Sequence, residues 1–179
     1  EPDAEERCRF SFPRQQRGRF LCVADFVRSR KDAQSSGTVD VLPFQLVTMG
    51  TPIADFANEL FAADNYRDYL EVHGLSVQLT EALAEFWHRR VRDELQLPDG
   101  AVSTEDPDAI EEYFNLKYRG ARYSFGYGAC PDLESRKVVI DLLEPERIGV
   151  ELSEELQLHP EQSTDAFVLY HPEAKYFNT

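Results

Sequence analysis

The segment best equipped for chemistry is Arg119-Gly-Ala-Arg122-Tyr-Ser-Phe-Gly126-Tyr127-Gly-Ala129-Cys130-Pro131. Its three glycines let backbone N–H and C=O groups come close to a ligand. Arg122 offers a planar guanidinium fork for a carboxylate, and Tyr123, Phe125 and Tyr127 offer flat apolar faces. The combination describes a cradle for a small molecule, and equally a structural turn. Cys130 precedes a run that can open a helix, where a thiolate is favoured; the alternative is a packed thiol. No Gly-x-Ser-x-Gly occurs and no Gly-Lys-Ser/Thr follows the glycines, which removes the hydrolase elbow and the P-loop.

Glu81, Glu85 and His88 fall at i, i+4 and i+7 beside Phe86 and Trp87, hence along one stripe of a helix. Such a stripe lines a groove or forms the solvated side. His73, His88, His159 and His171, with Cys8, Cys22 and Cys130, show no ligand-like spacing, so no metal site is expected. His171-Pro-Glu-Ala-Lys-Tyr176-Phe177 sets two aromatics after an apolar run, with packing against a sheet as their default role.

The framework that must hold these residues is a folded one. With 179 residues, 42% hydrophobic and 29% charged, the chain has the length for one domain with a sizeable core, and disordered, collagen-like and disulfide-scaffold classes are excluded. The net charge of −14 repels phosphate backbones and anionic lipid, so neither nucleic acid nor membrane is an expected partner. Against that background residues 7–31 carry eight basic residues and one acid, Asp25, either a solvated surface or a dock for an acidic protein. Three cysteines at these spacings form no disulfide framework, which suits a reducing, cytoplasmic compartment. No apolar run approaches the roughly 20 residues that span a bilayer.

Periodicity places the elements. Residues 1–6 read as a frayed end or the tail of a linker, Arg9 to Phe12 as a strand by alternation, and Arg28 to Val39 as a polar loop. Val41 to Met49 reads as a buried strand, and Thr51-Pro52 as the cap and start of a helix through Ile53, Phe56, Leu60 and Phe61. Asn65 to about Leu95 keeps helical spacing as one long helix or two, with Gly74 its weak point. Asp106-Pro107 opens a shorter helix, 119–131 is a loop without period, and Asp132 caps a helix through Val138, Val139, Leu142 and Leu143. Two or three strands, at Gly149 to Leu152 and Asp165 to Tyr170, close an antiparallel sheet. This order predicts an α+β fold, a twisted antiparallel sheet packed with helices that include one long helix.

Three segments together resemble the C-terminal S-adenosylmethionine-binding activation domain of cobalamin-dependent methionine synthase. Arg119 to Pro131 is similar to that family's R-G-x-R-x-x-x-G-Y-x-A-C-P signature, Leu83-Ala-Glu85-Phe-Trp-His88-Arg-Arg-Val-Arg92 to its A-E-x-x-H-x-x-V-R helix, and His171-Pro172-Glu-Ala-Lys175-Tyr176 to its H-P-x-x-K-Y ending. Arg14-Gln15-Gln16 with Ala24-Asp25-Phe26 is a fainter echo. The resemblance implies one activation domain over 1–179, part of a larger enzyme that methylates homocysteine to methionine. It implies reductive reactivation, in which an electron from a flavodoxin-like protein and a methyl group from S-adenosylmethionine restore methylcobalamin. Cobalamin would sit on another domain, and zinc in the parent enzyme only.

By position, Arg122 would pair with the ligand carboxylate, Tyr127 would line its methionine part, Glu81 would lie near its charged groups and Tyr176 would flank it, with Ser124 and Phe177 completing the binding set. No catalytic residue is implied, and the site is expected to be shallow so that a corrin on another domain can reach it. The family's acidic Asp-Trp-Thr-Pro-like stretch has no counterpart, Trp87 being the only tryptophan, so the chain is expected to lack the domain's N-terminal portion. An interaction module that docks an acidic redox protein through residues 7–31 is the alternative reading.

Overall fold

The computed structural model describes residues 5–95 and 107–179. Among the described residues five α-helices, α1 (Arg30–Ser36), α2 (Thr51–Ala62), α3 (Tyr66–Glu94), α4 (Pro107–Phe114) and α5 (Arg136–Leu143), alternate irregularly with five strands. The strands are β1 (Phe44–Thr48), β2 (Ala121–Tyr123), β3 (Glu151–Leu152), β4 (Leu158–His159) and β5 (Ser163–Leu169). One sheet has the order β1-β5-β2 and a second pairs β3 with β4, so the fold is α+β as the order of elements predicts. No helix among the described residues is long and apolar enough to cross a membrane.

Helical periodicity located α2 and α3 well, and α3 is a single helix of 29 residues. Gly74 does not interrupt it, and a Cβ at that position would meet no neighbouring atom within 4 Å. At α2 the capping position is Gly50, Thr51 is already helical, and the Thr48 hydroxyl instead accepts the Gly50 N–H at 2.9 Å. The expected cap at Asp106, like residues 1–4 of the expected frayed end, lies outside the described residues.

Three expectations fail for local reasons. The polar stretch from Arg28 contains α1, which is built by end chemistry rather than by an apolar stripe. Ser29 Oγ accepts the Asp32 N–H and donates to the Asp32 carboxylate at 2.6 Å, and Gly37 closes the helix at φ 67°. Arg9 to Phe12 is not a strand. Its alternation sets Phe10 and Phe12 to stack on Phe125, at 5.4 and 6.2 Å between ring centres, so the pattern reports ring packing and no ladder. Before α5, Asp132 leads into a 3-10 turn at Leu133–Ser135, and no side chain caps the helix.

The residues gather into two compact units. One comprises Glu1–Pro43, His88–Asp132 and Phe167–Thr179. Its core is aromatic: Tyr123 and Phe125 lie 5.6 and 5.2 Å from Phe167, and Phe177 sets its edge against Tyr123 and Phe26. The other comprises Phe44–Trp87 and Leu133–Ala166, with Ile140, Val150 and Leu158 at its centre and Leu46 and Leu152 packed against them. Buried there as well is an ion pair, Arg136 to Asp165 at 3.1 Å, whose guanidinium also donates to the Leu156 carbonyl at 2.7 Å. Cys8 is exposed while Cys22 and Cys130 are buried, and none of the three is in a disulfide.

Candidate functional site

The segment 119–131 is a strand followed by a tight turn rather than a loop without order. Strand β2 runs antiparallel to β5 with Ala121 opposite Leu169, Arg122 opposite Val168 and Tyr123 opposite Phe167. Gly120 makes that approach feasible: its φ is +88°, and a Cβ there would come 2.6 Å from the Leu169 carbonyl oxygen. Side chains alternate along an extended chain, so Arg122 and Ser124 share the face opposite to Tyr123 and Phe125. Tyr123 and Phe125 are almost fully buried, 1% and 2% exposed, whereas Arg122 and Ser124 are half-buried. The aromatic faces assigned to a ligand at Tyr123 and Phe125 thus belong to the core, and Tyr127, 58% exposed, is the one available at the surface.

Backbone bonds close the turn. Gly126 N–H donates to the Cys130 carbonyl at 3.0 Å and Cys130 N–H to the Tyr127 carbonyl at 2.9 Å. The Cys130 thiol donates to the Ser124 carbonyl at 2.9 Å, and the residue is 2% exposed, so the thiol serves packing rather than nucleophilic attack. The Gly128 carbonyl accepts both the N–H and the hydroxyl of Thr179, at 2.9 and 2.7 Å. A Cβ on Gly128 would meet the Asn178 side chain at 1.9 Å and its Cα at 3.2 Å, so glycine is required for this contact as well.

The segment after β5 reaches the turn by similar means. Lys175 Nζ donates to the carbonyls of Leu116 and Tyr118, at 3.1 and 2.9 Å, and the Tyr123 hydroxyl donates to the Lys175 carbonyl at 3.0 Å. Desolvation raises the Tyr123 hydroxyl far above its ordinary range, so it remains a donor at any physiological pH. Tyr176 is exposed, and the Phe177 ring is buried between Phe26 and Tyr123. Arg122, Ser124, Tyr127, Tyr176 and Phe177 therefore fall in one unit; Glu81, exposed on α3, belongs to the other.

The helix stripe separates residue by residue. Glu81 is exposed, Glu85 half-buried, and His88 fully buried with its ring edge-on to Tyr118 at 5.3 Å. Arg92 lies 4.0 Å over the same tyrosine ring. His88 and Arg92 are hence core residues of their unit. Among the described residues no group of three or more His, Cys, Asp or Glu is placed to hold a metal ion.

One set of bracing contacts escaped the sequence reading. Gln15 donates its amide to the Asn178 carbonyl at 2.6 Å and accepts the Leu21 N–H at 3.1 Å, fixing the chain next to the contact with Gly128. Arg14 forks onto Asp25, with Nη2 to Oδ1 at 2.7 Å, and its Nη1 donates to the Phe20 carbonyl at 2.8 Å. The faint Arg14-Gln15 and Asp25 echo in the sequence was the only signal of these braces.

A half-buried arginine and an exposed tyrosine thus lie on one braced strand and turn, and the comparisons give the class of domain that carries them. A family profile described as the activation domain of vitamin B12 dependent methionine synthase matches residues 1–179, and the chain belongs to that family. It is 75% identical over 178 residues to the methionine synthase of Mycobacterium tuberculosis, and 71% identical over 178 residues to that of Mycobacterium leprae. Each alignment covers 99% of this chain, which spans about 15% of the length of these relatives. Among solved structures, the crystal structure of the MetH reactivation domain bound to AdoHcy matches with a TM-score of 0.77 and 30% identity, over 93% of this chain and 50% of that one.

Proposed function

We propose that the chain binds S-adenosylmethionine beside residues 119–131 and serves the reductive reactivation of a cobalamin-dependent methionine synthase, a cytoplasmic methyltransferase that makes methionine from homocysteine. The observation that carries this reading is the division of labour in the segment. Tyr123, Phe125, Ala129 and Cys130 are buried in packing, while Arg122 and Ser124 lie half-buried on the opposite face of the strand and Tyr127 is exposed on the turn that follows. Rigid placement of a planar cation favours an amino-acid carboxylate. Family membership supports the choice of ligand, and so does the related reactivation domain bound to AdoHcy.

In this reading Arg122 holds the carboxylate, Tyr127 lies along the methionine portion and offers its ring to the sulfonium, and Tyr176 flanks the site. Ser124 and Phe177 complete the set; with its ring buried, Phe177 contributes through its backbone. Cobalamin, carried elsewhere in the parent enzyme, supplies the cobalt nucleophile, and a flavodoxin-like protein supplies the electron; zinc belongs to the parent alone. This chain's own work is positioning: it holds the ligand still and in the open, and no acid or base is asked of it.

The alternative, an interaction module docking an acidic redox protein through residues 7–31, is weakened by internal pairing. Arg9 pairs with Glu6, Arg14 with Asp25, Arg19 with Glu173 and Arg28 with Asp40, which spends half of the eight basic residues. Calorimetric titration with S-adenosylmethionine of this chain and of Arg122→Ala separates the two. Saturable binding that the variant loses supports the first reading. Unchanged affinity in the variant removes the carboxylate role, and a salt-sensitive complex with flavodoxin in the absence of ligand binding favours the second.

A further inference from the structure

Arg122 is carried by a strand that holds itself weakly. β2 is three residues long and lies at the edge of its sheet, where the order β1-β5-β2 gives it β5 on one side and no described strand on the other. A buried face pins the register of a strand, and within β2 only Tyr123 is buried. A slip by one residue turns every side chain to the opposite face. Here it would carry Arg122 toward the aromatic core and Tyr123 away from it.

Lys175 grips the chain on both sides of that residue. Before the strand its Nζ donates to the Leu116 and Tyr118 carbonyls, and at the end of the strand its own carbonyl accepts the Tyr123 hydroxyl. Both ends of the grip are anchored. Leu116 sits in the left-handed region at φ 52° where the chain leaves α4, with the N–H groups of Asn115 and Lys117 returning to the Glu111 and Glu112 carbonyls. A cation suits carbonyls that follow the end of a helix. The Tyr118 ring is held against His88 and Arg92. On the other side the chain enters Lys175 from a closed turn: the Glu173 N–H donates to His171 Nδ1 at 3.1 Å, the Ala174 N–H donates to the His171 carbonyl at 3.0 Å, and Ala174 is fully buried.

We propose that Lys175 is a positioning residue for ligand binding: by holding the chain before β2 and the last residue of β2, it fixes the register of the strand and with it the face on which Arg122 is presented. Lys175 acts through Arg122 and contributes no contact to the ligand. The inference rests on the assignment of the ligand carboxylate to Arg122. A lysine tied to two carbonyls can also serve the fold alone, and the two roles differ in what they do to a ligand that has no carboxylate.

The test is a pair of calorimetric titrations, with S-adenosylmethionine and with its decarboxylated form, which lacks only the carboxylate. Lys175→Met is expected to weaken S-adenosylmethionine about tenfold and to leave the decarboxylated form bound as the unaltered chain binds it. Lys175→Arg, which still donates to carbonyls, is expected to recover most of the loss. Tyr123→Phe releases the other grip without touching the charge; the same pattern at smaller size is expected, and this variant carries the test if Lys175→Met does not fold. Lys117→Met removes the same charge from a neighbouring lysine whose side chain bonds to no described residue, and is expected to change neither affinity. Equal weakening of both ligands by Lys175→Met would mean a general loss of structure and overturn the proposal, as would an unchanged affinity for S-adenosylmethionine. Absence of saturable binding by the unaltered chain would remove the assignment of Arg122, and this inference with it.

Discussion

Arg122 and Gly120 sit two residues apart and answer to different physics. For Arg122 the relevant quantity is the loss when a charged, hydrogen-bonded pair is broken. Arg122→Ala is expected to cost about 2–4 kcal/mol of S-adenosylmethionine affinity, roughly 30- to 1,000-fold in Kd. Lysine at 122 should recover only part of this, because a point charge lacks the two-pronged geometry. Gly120→Ala works through the backbone: at φ +88° and 2.6 Å from the Leu169 oxygen, an added methyl forces β2 off β5. Urea unfolding is expected to show a loss of about 1–3 kcal/mol or more for this variant, and an unperturbed midpoint would mean that the strand pairing is not needed. The sequence offers Arg122 as a candidate because a guanidinium among glycines suits a carboxylate. The burial of Tyr123 and Phe125 was not legible, since alternation over so few residues cannot be told from a ligand-facing pattern.

Among the elements, legibility followed length. Helices α2 and α3 declare themselves because many turns repeat the same apolar face, whereas β2, three residues long, carries too little pattern to register. Helix α1 is announced only by Ser29, Asp32 and Gly37, each equally at home in a loop. In α5 the apolar period was plain, but the burial of Arg136 was invisible because its partner, Asp165, lies 29 residues away. Breaking that pair leaves a buried charge alone, and Arg136→Met is expected to cost about 3–5 kcal/mol in denaturant unfolding. Asp165 adds a pH signature. Burial pushes its carboxyl above the usual carboxylate range against the opposing pull of Arg136, so the folded state keeps its proton longer than the unfolded chain does. The contribution is fully present below the unfolded pKa and is lost as pH rises through the folded one. Across mildly acidic pH, stability relative to Asp165→Asn is expected to fall as pH rises; a constant difference between the two curves would refute it.

For the whole molecule the dominant number is the charge of −14. Exposed pairs such as Arg67 to Glu71 and Arg90 to Glu94 contribute little each, about 0–1 kcal/mol, and salt weakens them. Screening the excess negative charge acts in the opposite direction and over all of the surface. The thermal midpoint is therefore expected to rise modestly between low and physiological ionic strength, and a fall would mean that the pairs outweigh the repulsion. Composition made this balance readable at once. It left hidden the assembly of one unit from three stretches of chain and of the other from two, since that depends on contacts across more than a hundred residues.

The unequal placement of the three thiols has a practical side. Cys22 and Cys130 are buried, with their sulfurs donating to the carbonyls of Phe12 and Ser124, and Cys8 alone is open to solvent. A maleimide dye added to the unmodified protein would attach at Cys8, two residues from Phe10, whose ring rests on Phe125. The protein thus comes with a built-in attachment point for an optical probe, beside the aromatic face of residues 119–131 and away from the face that carries Arg122, so that a label there reports on the packing of that segment without covering Arg122.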